Sequence, residues 1–233
     1  MKSDTSPILF ALEEWQAIAL SVRVAAVAVA GSLPLGIALG WLLARRRFPG
    51  KSLVETTLNL PIVLPPVVTG YLLLVTFGTR GWMGRHLYDW LGIRIVFDWK
   101  GAALASAVIA FPLMVRAIRV AFTTVDPRLE SAARSLGAGP FDTFLSVTLP
   151  LARHGIIAGC VLSFGRSLGE FGATIMIAGS IPGETRTIPL HIFNLLESPG
   201  GTEAARRMVV VSIVLAAGAL ALSEYLERRG KRD

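Results

Sequence analysis

The first candidates for chemistry in this chain are two ionisable residues in a very apolar stretch. Arg166 and Glu170 lie inside the block from Gly155 to Ala178, whose other residues are almost all apolar or small. An ionisable group in the middle of a membrane costs at least about 2.5–3.5 kcal/mol on insertion scales, so it should face protein or water. The two residues are four apart, a spacing at which arginine and glutamate can pair on one helix face.

Hydroxyl side chains extend this polar feature along the predicted helix, and we call the whole set the polar seam. Its members are Ser163, Arg166, Ser167, Glu170 and Thr174. One interpretation is the wall of a translocation path for a polar solute. The other is a buried ion pair that only fixes how the helices pack. The residues alone leave both open.

The same stretch also contains a hydrolase-like pattern. Gly165-Arg-Ser-Leu-Gly169 matches Gly-x-Ser-x-Gly, the nucleophile turn of α/β-hydrolases, and Ser167 with His154 or His191 would make an intramembrane serine hydrolase. That motif requires a strand before the serine and a helix after it. Here we predict one continuous apolar helix, so we expect no catalytic residue in this chain.

A short polar interval, Asp126–Pro150, separates two apolar stretches, and we call it the cytoplasmic segment. Asp126 followed by Pro127 is a good helix start, with an N-cap and a proline in the first turn. Gly137 can adopt the left-handed conformation that ends a helix, and Pro140 can begin the next one. The predicted face of small and apolar residues comprises Leu129, Ala132, Ala133 and Leu136. Such a hairpin either docks into a groove of a partner or lies on the lipid surface.

Composition places these features in a membrane. The chain is 53% hydrophobic and 17% charged, with a mean hydropathy of +0.60, whereas soluble domains are about a quarter charged. We predict one all-α domain over residues 1–233, with five blocks of the roughly 20 residues needed to span a bilayer. The blocks run from Trp15 to Ala44, Leu53 to Phe77, Gly101 to Thr123, Gly155 to Ala178, and Met208 to Leu226. A sixth helix near Ile8–Trp15 would reverse only the N-terminus.

The net charge of +7 sets the orientation, because cytoplasmic loops carry an excess of Lys and Arg. The basic groups expected in the cytoplasm are Arg45, Arg46, Arg47 and Lys51; Arg128, Arg134 and Arg153; and Arg228, Arg229, Lys231 and Arg232. We therefore expect the C-terminus inside and the N-terminus outside. A nucleic-acid partner is not expected, since no single soluble face could hold these residues together. We also predict no removable signal peptide, no metal site, and a structural role for Cys160.

Two further patterns concern how the spans are built. The second block contains three prolines, at positions 61, 65 and 66, which must kink or break a helix. The result is either a broken helix that lines a cavity or a loop that dips into the membrane before a span starting near Pro66. Glycine pairs four residues apart allow helix backbones to approach closely: Gly36 and Gly40, Gly155 and Gly159, and Gly165 and Gly169.

The cytoplasmic segment resembles a loop found in the permease subunits of bacterial ABC importers. That family has Glu-Ala-Ala, three residues, Gly, nine residues, then Ile-x-Leu-Pro. The matching residues here are Glu130, Ser131, Ala132, Ala133, Gly137, Val147, Leu149 and Pro150. Ser131 stands where the family usually has Glu, with Glu130 one place earlier, and Val147 replaces Ile. The resemblance implies a type I permease fold in which this loop is a coupling helix that docks on a separate ATPase.

A second run is similar to the oxyanion branch of that family, and most similar to molybdate permease subunits. It comprises Phe164-Gly-Arg-Ser-Leu-Gly-Glu-Phe-Gly-Ala-Thr174 and Ser180-Ile-Pro-Gly-Glu-Thr-Arg-Thr-Ile-Pro189. The resemblance implies a homodimer in the bacterial inner membrane, two cytoplasmic ATPase subunits and an external oxyanion-binding protein. ATP and Mg²⁺ would be used by the ATPase, and the chain has no Gly-x-x-x-x-Gly-Lys-Ser/Thr loop of its own. Sulfate or tungstate import, and an ion-driven carrier without an ATPase, are the alternatives.

Overall fold

The described part of the chain is entirely helical. The structure, a computed structural model, describes residues 12–230, and side chains as far as Tyr225. Within that range the chain forms eleven α-helices and one π-helical turn, and no strand. The helices are α1 (Leu12–Arg45), α2 (Lys51–Val63), α3 (Pro66–Phe77), α4 (Trp82–Leu91), α5 (Trp99–Thr124), α6 (Pro127–Ser135), α7 (Pro140–Thr143), α8 (Leu149–Leu168), α9 (Gly172–Ala178), α10 (Ile188–Glu197) and α11 (Thr202–Gly230). Half of the segment considered for a sixth helix, Ile8–Trp15, lies outside the described residues, and α1 begins at Leu12.

Among residues 12–230, four helical stretches are long and apolar enough to cross a membrane. They are α1, α5, the run from Pro140 to Leu168, and α11 over Thr202–Tyr225. The pair α2 and α3 passes the same test together, with a bend of 110° at its break, which gives up to five spans. The predicted all-α bundle of membrane helices is confirmed.

The predicted position of the fourth span, Gly155–Ala178, is wrong. The helix starts earlier, because Phe144–Thr148 forms a π-helical turn that runs directly into α8. It ends at Leu168, and three residues separate it from α9. Glycine on both sides of Glu170 lowers helix propensity at this point. Apolar composition marks which residues lie in the membrane, but it does not report where a helix within the membrane is interrupted.

The break in the second span meets the break in the fourth. Helix α2 ends at Val63 and α3 begins at Pro66, so Pro66 occupies a first-turn position that needs no backbone donor. A methyl group added at Gly172, the first residue of α9, would lie 3.0 Å from Pro66 Cβ. A methyl group at Gly70 would lie 2.7 Å from Ala173 Cα. The two half-helices α3 and α9 therefore pack backbone to backbone, and the broken-helix interpretation of the proline cluster fits this arrangement.

The core is formed by α1, α5 and α8, and glycines set the distances between them. A methyl group at Gly40 would lie 2.6 Å from Ile118 Cγ2, and one at Gly36 would lie 2.9 Å from Met114 Sδ. A methyl group at Gly155 would lie 2.6 Å from Ala121 Cβ, and one at Gly159 would lie 3.0 Å from Ala117 Cβ. The pairs Gly36/Gly40 and Gly155/Gly159 therefore lie at close helix contacts, as predicted. The third predicted pair is not a close contact. A methyl group at Gly165 would lie at an ordinary distance of 3.5 Å from Ala219 Cβ on α11, and one at Gly169, in the break after α8, would approach no other helix within 4 Å.

Replacing Gly155 with leucine should disrupt this core. The new side chain would overlap Ala121 on α5, and overpacking a close helix contact costs about 1–3 kcal/mol or more. We expect a lower yield of folded protein and a lower Tm in detergent, measured by fluorescence-detected gel filtration with heating. Gly31→Leu in α1 is the matched control, because nothing lies within 4 Å of a methyl group at Gly31. Equal Tm values for the two variants would contradict this packing.

Ion pairs lie at both ends of the bundle, in addition to the Arg166–Glu170 pair between α8 and α9. At one end Arg45 contacts Glu130 and Arg119 contacts Glu55, which places the first two predicted basic groups together. At the other end Arg207 contacts Glu14. The third basic group, residues 228–232, lies beyond the described side chains. The positive-inside rule then places the cytoplasmic segment in the cytoplasm and α4 and α10 outside.

Candidate functional site

The cytoplasmic segment folds as its local sequence predicts. The Asp126 carboxylate accepts a hydrogen bond from the Arg128 backbone at 2.9 Å and caps α6, with Pro127 in the first turn. Gly137 has φ of +94° and ends the helix, and Ala138 N–H donates to the Ala133 carbonyl at 3.1 Å. Pro140 begins α7. The predicted helix-turn-helix is confirmed.

The cytoplasmic segment exposes several large apolar side chains. Leu136 is 89% exposed, Phe141 is 75% exposed and Leu129 is 48% exposed. Ala132 is exposed and Ala133 is half-buried on the same helix. Large apolar side chains at this level of exposure indicate an interaction surface, and Leu129 and Leu136 lie outside the candidate membrane spans. We call Leu129, Leu136 and Phe141 the apolar tip.

The other family-matching residues of the segment do not lie on the apolar tip. Ser131 Oγ donates to the Pro127 carbonyl of its own helix at 3.1 Å. Leu149 packs against the core formed by α5 and α8, and Pro150 lies exposed in the first turn of α8. Val147 lies half-buried in the π-helical turn. These last three residues join the segment to the fourth span.

Glu130 points towards the bundle. Its carboxylate contacts Arg45 at the end of α1 at 3.0 Å, and Thr148 Oγ1 donates to it at 2.9 Å. Sequence reasoning treated Arg45 only as an orientation charge and gave Thr148 no role. Neither pairing has a sequence signal, since Arg45 belongs to another helix far away in the chain and Thr148 approaches Glu130 only after the turn between α6 and α7 has formed.

The ion pair of the polar seam forms at the break after α8. Arg166 Nη2 lies 3.0 Å from Glu170 Oε2. Glu170 Oε1 also accepts a hydrogen bond from Ala173 N–H at 3.0 Å, so the carboxylate caps the first turn of α9. The Glu170 side chain is 2% exposed and the Arg166 side chain is 35% exposed. The carboxylate is therefore fixed inside the protein, while the guanidinium reaches an open surface.

The hydroxyls of the polar seam are buried. Ser163, Ser167 and Thr174 are 1%, 5% and 1% exposed. Ser163 Oγ donates to the Ala110 carbonyl at 3.5 Å, and neither Ser167 Oγ nor Thr174 Oγ1 has a hydrogen-bond partner among the described residues. The predicted single stripe along one helix is wrong, because Thr174 lies on α9 and Glu170 in the break. A role of these residues in translocation stays a prediction.

The hydrolase-like motif occupies the last turn of α8, with no strand in residues 12–230 to form a nucleophile turn. His191 lies on α10, and neither of its ring nitrogens accepts or donates a hydrogen bond among the described residues. Burial, and then the nearby Arg186, lower the His191 pKa, while Glu13 and Glu14 oppose the shift. No Ser–His pair is present within this part of the chain, so the arrangement that a serine nucleophile needs is missing there.

The membrane bundle, its two meeting helix breaks and the helical segment on its cytoplasmic end define a membrane permease of the ABC-importer type. The chain matches the family described as "Binding-protein-dependent transport system inner membrane component" over residues 34–232. It belongs to that family, which makes it a multi-pass inner-membrane protein and a transport component.

Three comparisons define the relationship more closely. The chain is 57% identical to the molybdenum transport system permease protein ModB of Escherichia coli (strain K12), over 92% of this chain and 94% of that protein. It is 37% identical to the sulfate transport system permease protein CysW of Synechocystis sp., over 91% of this chain and 76% of that protein. It has the fold of a bacterial alginate ABC transporter, solved in complex with an alginate pentasaccharide-bound periplasmic protein. The TM-score is 0.68 at 18% identity, over 94% of this chain and 80% of that one.

Proposed function

We propose that this chain is the transmembrane subunit of an ATP-driven importer of molybdate, working as a homodimer with two cytoplasmic ATPase subunits and an external binding protein. The observation that carries the ATP-driven part is the apolar tip, with Leu136 89% exposed outside every span. The substrate follows from the relatives, since identity to the molybdenum permease is 57% and identity to the sulfate permease is 37%.

The apolar tip suits a groove on a soluble partner. A helix presents apolar side chains to a groove at i, i+3, i+4 and i+7, and Leu129, Ala132 and Ala133 on α6 have that spacing with Leu136, the C-cap of α6. Phe141, in the first turn of α7, is exposed as well. Movement of a partner that holds this tip would be transmitted to the spans that begin and end beside it.

The polar seam supplies a candidate route for the anion. Molybdate is a dianion, and a bare hydrocarbon passage is closed to it because burying an unpaired charge is very costly. A half-exposed Arg166 attracts an anion, while Glu170, fixed by Ala173 N–H, offsets part of its charge. A site on a conduction path must bind its ion weakly enough to release it. An arginine whose charge is partly offset by a neighbouring carboxylate therefore fits better than an unpaired arginine. Ser163, Ser167 and Thr174 would border the same route.

Reconstitution tests the proposal. Liposomes containing the permease, its ATPase subunit and the binding protein should accumulate molybdate only when ATP is supplied. Unlabelled tungstate and sulfate as competitors identify the preferred anion. Molybdate uptake without an ATPase subunit would contradict the proposal. So would molybdate uptake that none of the unlabelled oxyanions (molybdate, tungstate or sulfate) reduces.

Replacing Leu136 with aspartate should weaken ATPase binding at least about tenfold, because a charge would enter the predicted apolar contact, where a hot-spot residue is worth about 2 kcal/mol or more. The measurement is co-purification and titration of the ATPase subunit onto the permease in nanodiscs. Ser146→Asp is the matched control, because Ser146 is exposed in the same segment but lies outside the apolar tip. Equal ATPase binding by the two variants would show that the apolar tip is not the docking surface.

A further inference from the structure

One carboxylate, that of Glu130, lies at the centre of a group of contacts that joins the cytoplasmic segment to α1. Arg45 Nη2 lies 3.0 Å from Glu130 Oε1 and donates to the Val125 carbonyl at 2.8 Å. Thr148 Oγ1 donates to the same Glu130 oxygen at 2.9 Å. Arg45 belongs to the end of α1, Val125 caps the end of α5, and Thr148 directly precedes α8.

The burial of these groups makes the contact stronger than a surface ion pair. The side chains of Arg45 and Glu130 are 15% and 17% exposed, and Thr148 is 1% exposed. Exposed ion pairs contribute little because water screens them, whereas buried and hydrogen-bonded pairs are strongly coupled. The Glu130 oxygen accepts from two donors at once, so loss of its charge would weaken both contacts.

An aromatic contact holds the same segment beside this cluster. The Phe144 ring lies 5.9 Å from the Trp41 ring in an edge-to-face arrangement, and 6.1 Å from the Phe122 ring. Trp41 belongs to α1 and Phe122 to α5. The segment is therefore anchored to both helices through apolar as well as polar contacts.

We propose that Arg45, Glu130 and Thr148 form a clasp that makes the cytoplasmic segment move as one body with α1, α5 and α8. Glu130 is a positioning residue that faces the bundle, while the apolar tip faces the partner. This inference rests on the proposed function, because the clasp transmits the displacement that the ATPase applies to the tip. Ser131, whose hydroxyl bonds its own helix, offers no carboxylate that could take this role.

The clasp predicts uncoupling without loss of docking. In the reconstituted complex, Glu130→Gln should bind the ATPase subunit as the wild type does. The number of molybdate ions taken up per ATP hydrolysed should fall by about 2- to 30-fold, the range that single coupling mutations produce. Thr148→Val, which removes one of the two donors, should lower the same ratio by a smaller factor. A purely structural role would lower the amount of folded protein and leave this ratio unchanged.

One control separates the clasp from general effects of charge removal. Glu55→Gln breaks another ion pair at the same end of the bundle, the 2.9 Å contact with Arg119, whose partners both lie outside the cytoplasmic segment. It should keep the wild-type transport-to-ATP ratio. A fall in the ratio for Glu55→Gln as large as that for Glu130→Gln would overturn the proposal.

A distance measurement tests the rigid connection directly. Spin labels at Arg134→Cys and Arg47→Cys, in a chain that also carries Cys160→Ser, report the separation of α6 from the end of α1. Both labelled positions are exposed. In the complete complex the distance should stay constant between the nucleotide-free and ATP-bound states, and it should change with nucleotide once Glu130→Gln is added.

The outcomes distinguish the two proposals. If the wild-type permease binds no ATPase subunit, the proposed function fails. If the wild type binds the ATPase and imports molybdate while Glu130→Gln keeps the wild-type ratio, only the clasp fails. A label distance that changes with nucleotide in the wild type also overturns the clasp.

Discussion

Replacing Gly137 with valine should abolish ATP-driven uptake while the protein still inserts into the membrane. Gly137 has φ of +94°, in the left-handed region that costs about 1–2 kcal/mol for an L-residue and more for a β-branched one. Its N–H donates to the Arg134 carbonyl at 3.0 Å as part of the turn that ends α6. Valine should reopen that turn and displace Leu136 and Phe141 from their common surface.

The local surroundings make this a clean test of backbone conformation. Nothing lies within 4 Å of a methyl group at Gly137, so no neighbouring side chain is displaced directly. Gly139→Ala is the matched control in the same turn, since Gly139 has φ of −68° and equally open surroundings. Uptake by proteoliposomes, ATPase binding and Tm would be measured for both variants. Wild-type uptake by Gly137→Val would refute the role of this turn in coupling.

The turn between α6 and α7 of the cytoplasmic segment could be predicted from the sequence, because short-range rules determine it. The Asp126 cap, the proline in the next position and the left-handed Gly137 each depend on only a few neighbouring residues. The long apolar helices could also be predicted, since the cost of exposing polar groups to lipid selects long apolar runs; five spans were predicted, and residues 12–230 contain four, or five with the bent pair α2 and α3. That the exposed surface of the cytoplasmic segment docks on a partner stays a prediction.

The interruption of the fourth span could not be predicted from apolar composition. Gly169, Glu170 and Gly172 lie in a run of membrane residues, and what ends α8 there is a carboxylate capping α9 and a close approach of Pro66. The clasp was equally hidden, because Arg45 and Glu130 meet only after α1 and α5 have packed together. Long-range contacts of this kind depend on the fold, so no local sequence pattern predicts them.

Replacing Arg166 with alanine should have the largest effect of any change in the polar seam. The change leaves the Glu170 carboxylate, which is 2% exposed, without its cation, and breaking a buried ion pair from one side costs about 3–5 kcal/mol. We expect a lower Tm and loss of most molybdate uptake. Glu170→Ala should be milder for stability, since the remaining Arg166 side chain is 35% exposed, and the first turn of α9 loses only its bond to the carboxylate.

The double variant Arg166→Ala/Glu170→Ala separates packing from transport. Removing both charges leaves no unpaired buried carboxylate, so the Tm should recover from that of Arg166→Ala towards that of Glu170→Ala. Uptake should stay low if Arg166 borders the route of the anion, because its half-exposed guanidinium would still be missing. Recovery of both Tm and uptake in the double variant would mean that the pair only fixes helix packing. Normal Tm and uptake in Arg166→Ala alone would remove the polar seam from the mechanism altogether.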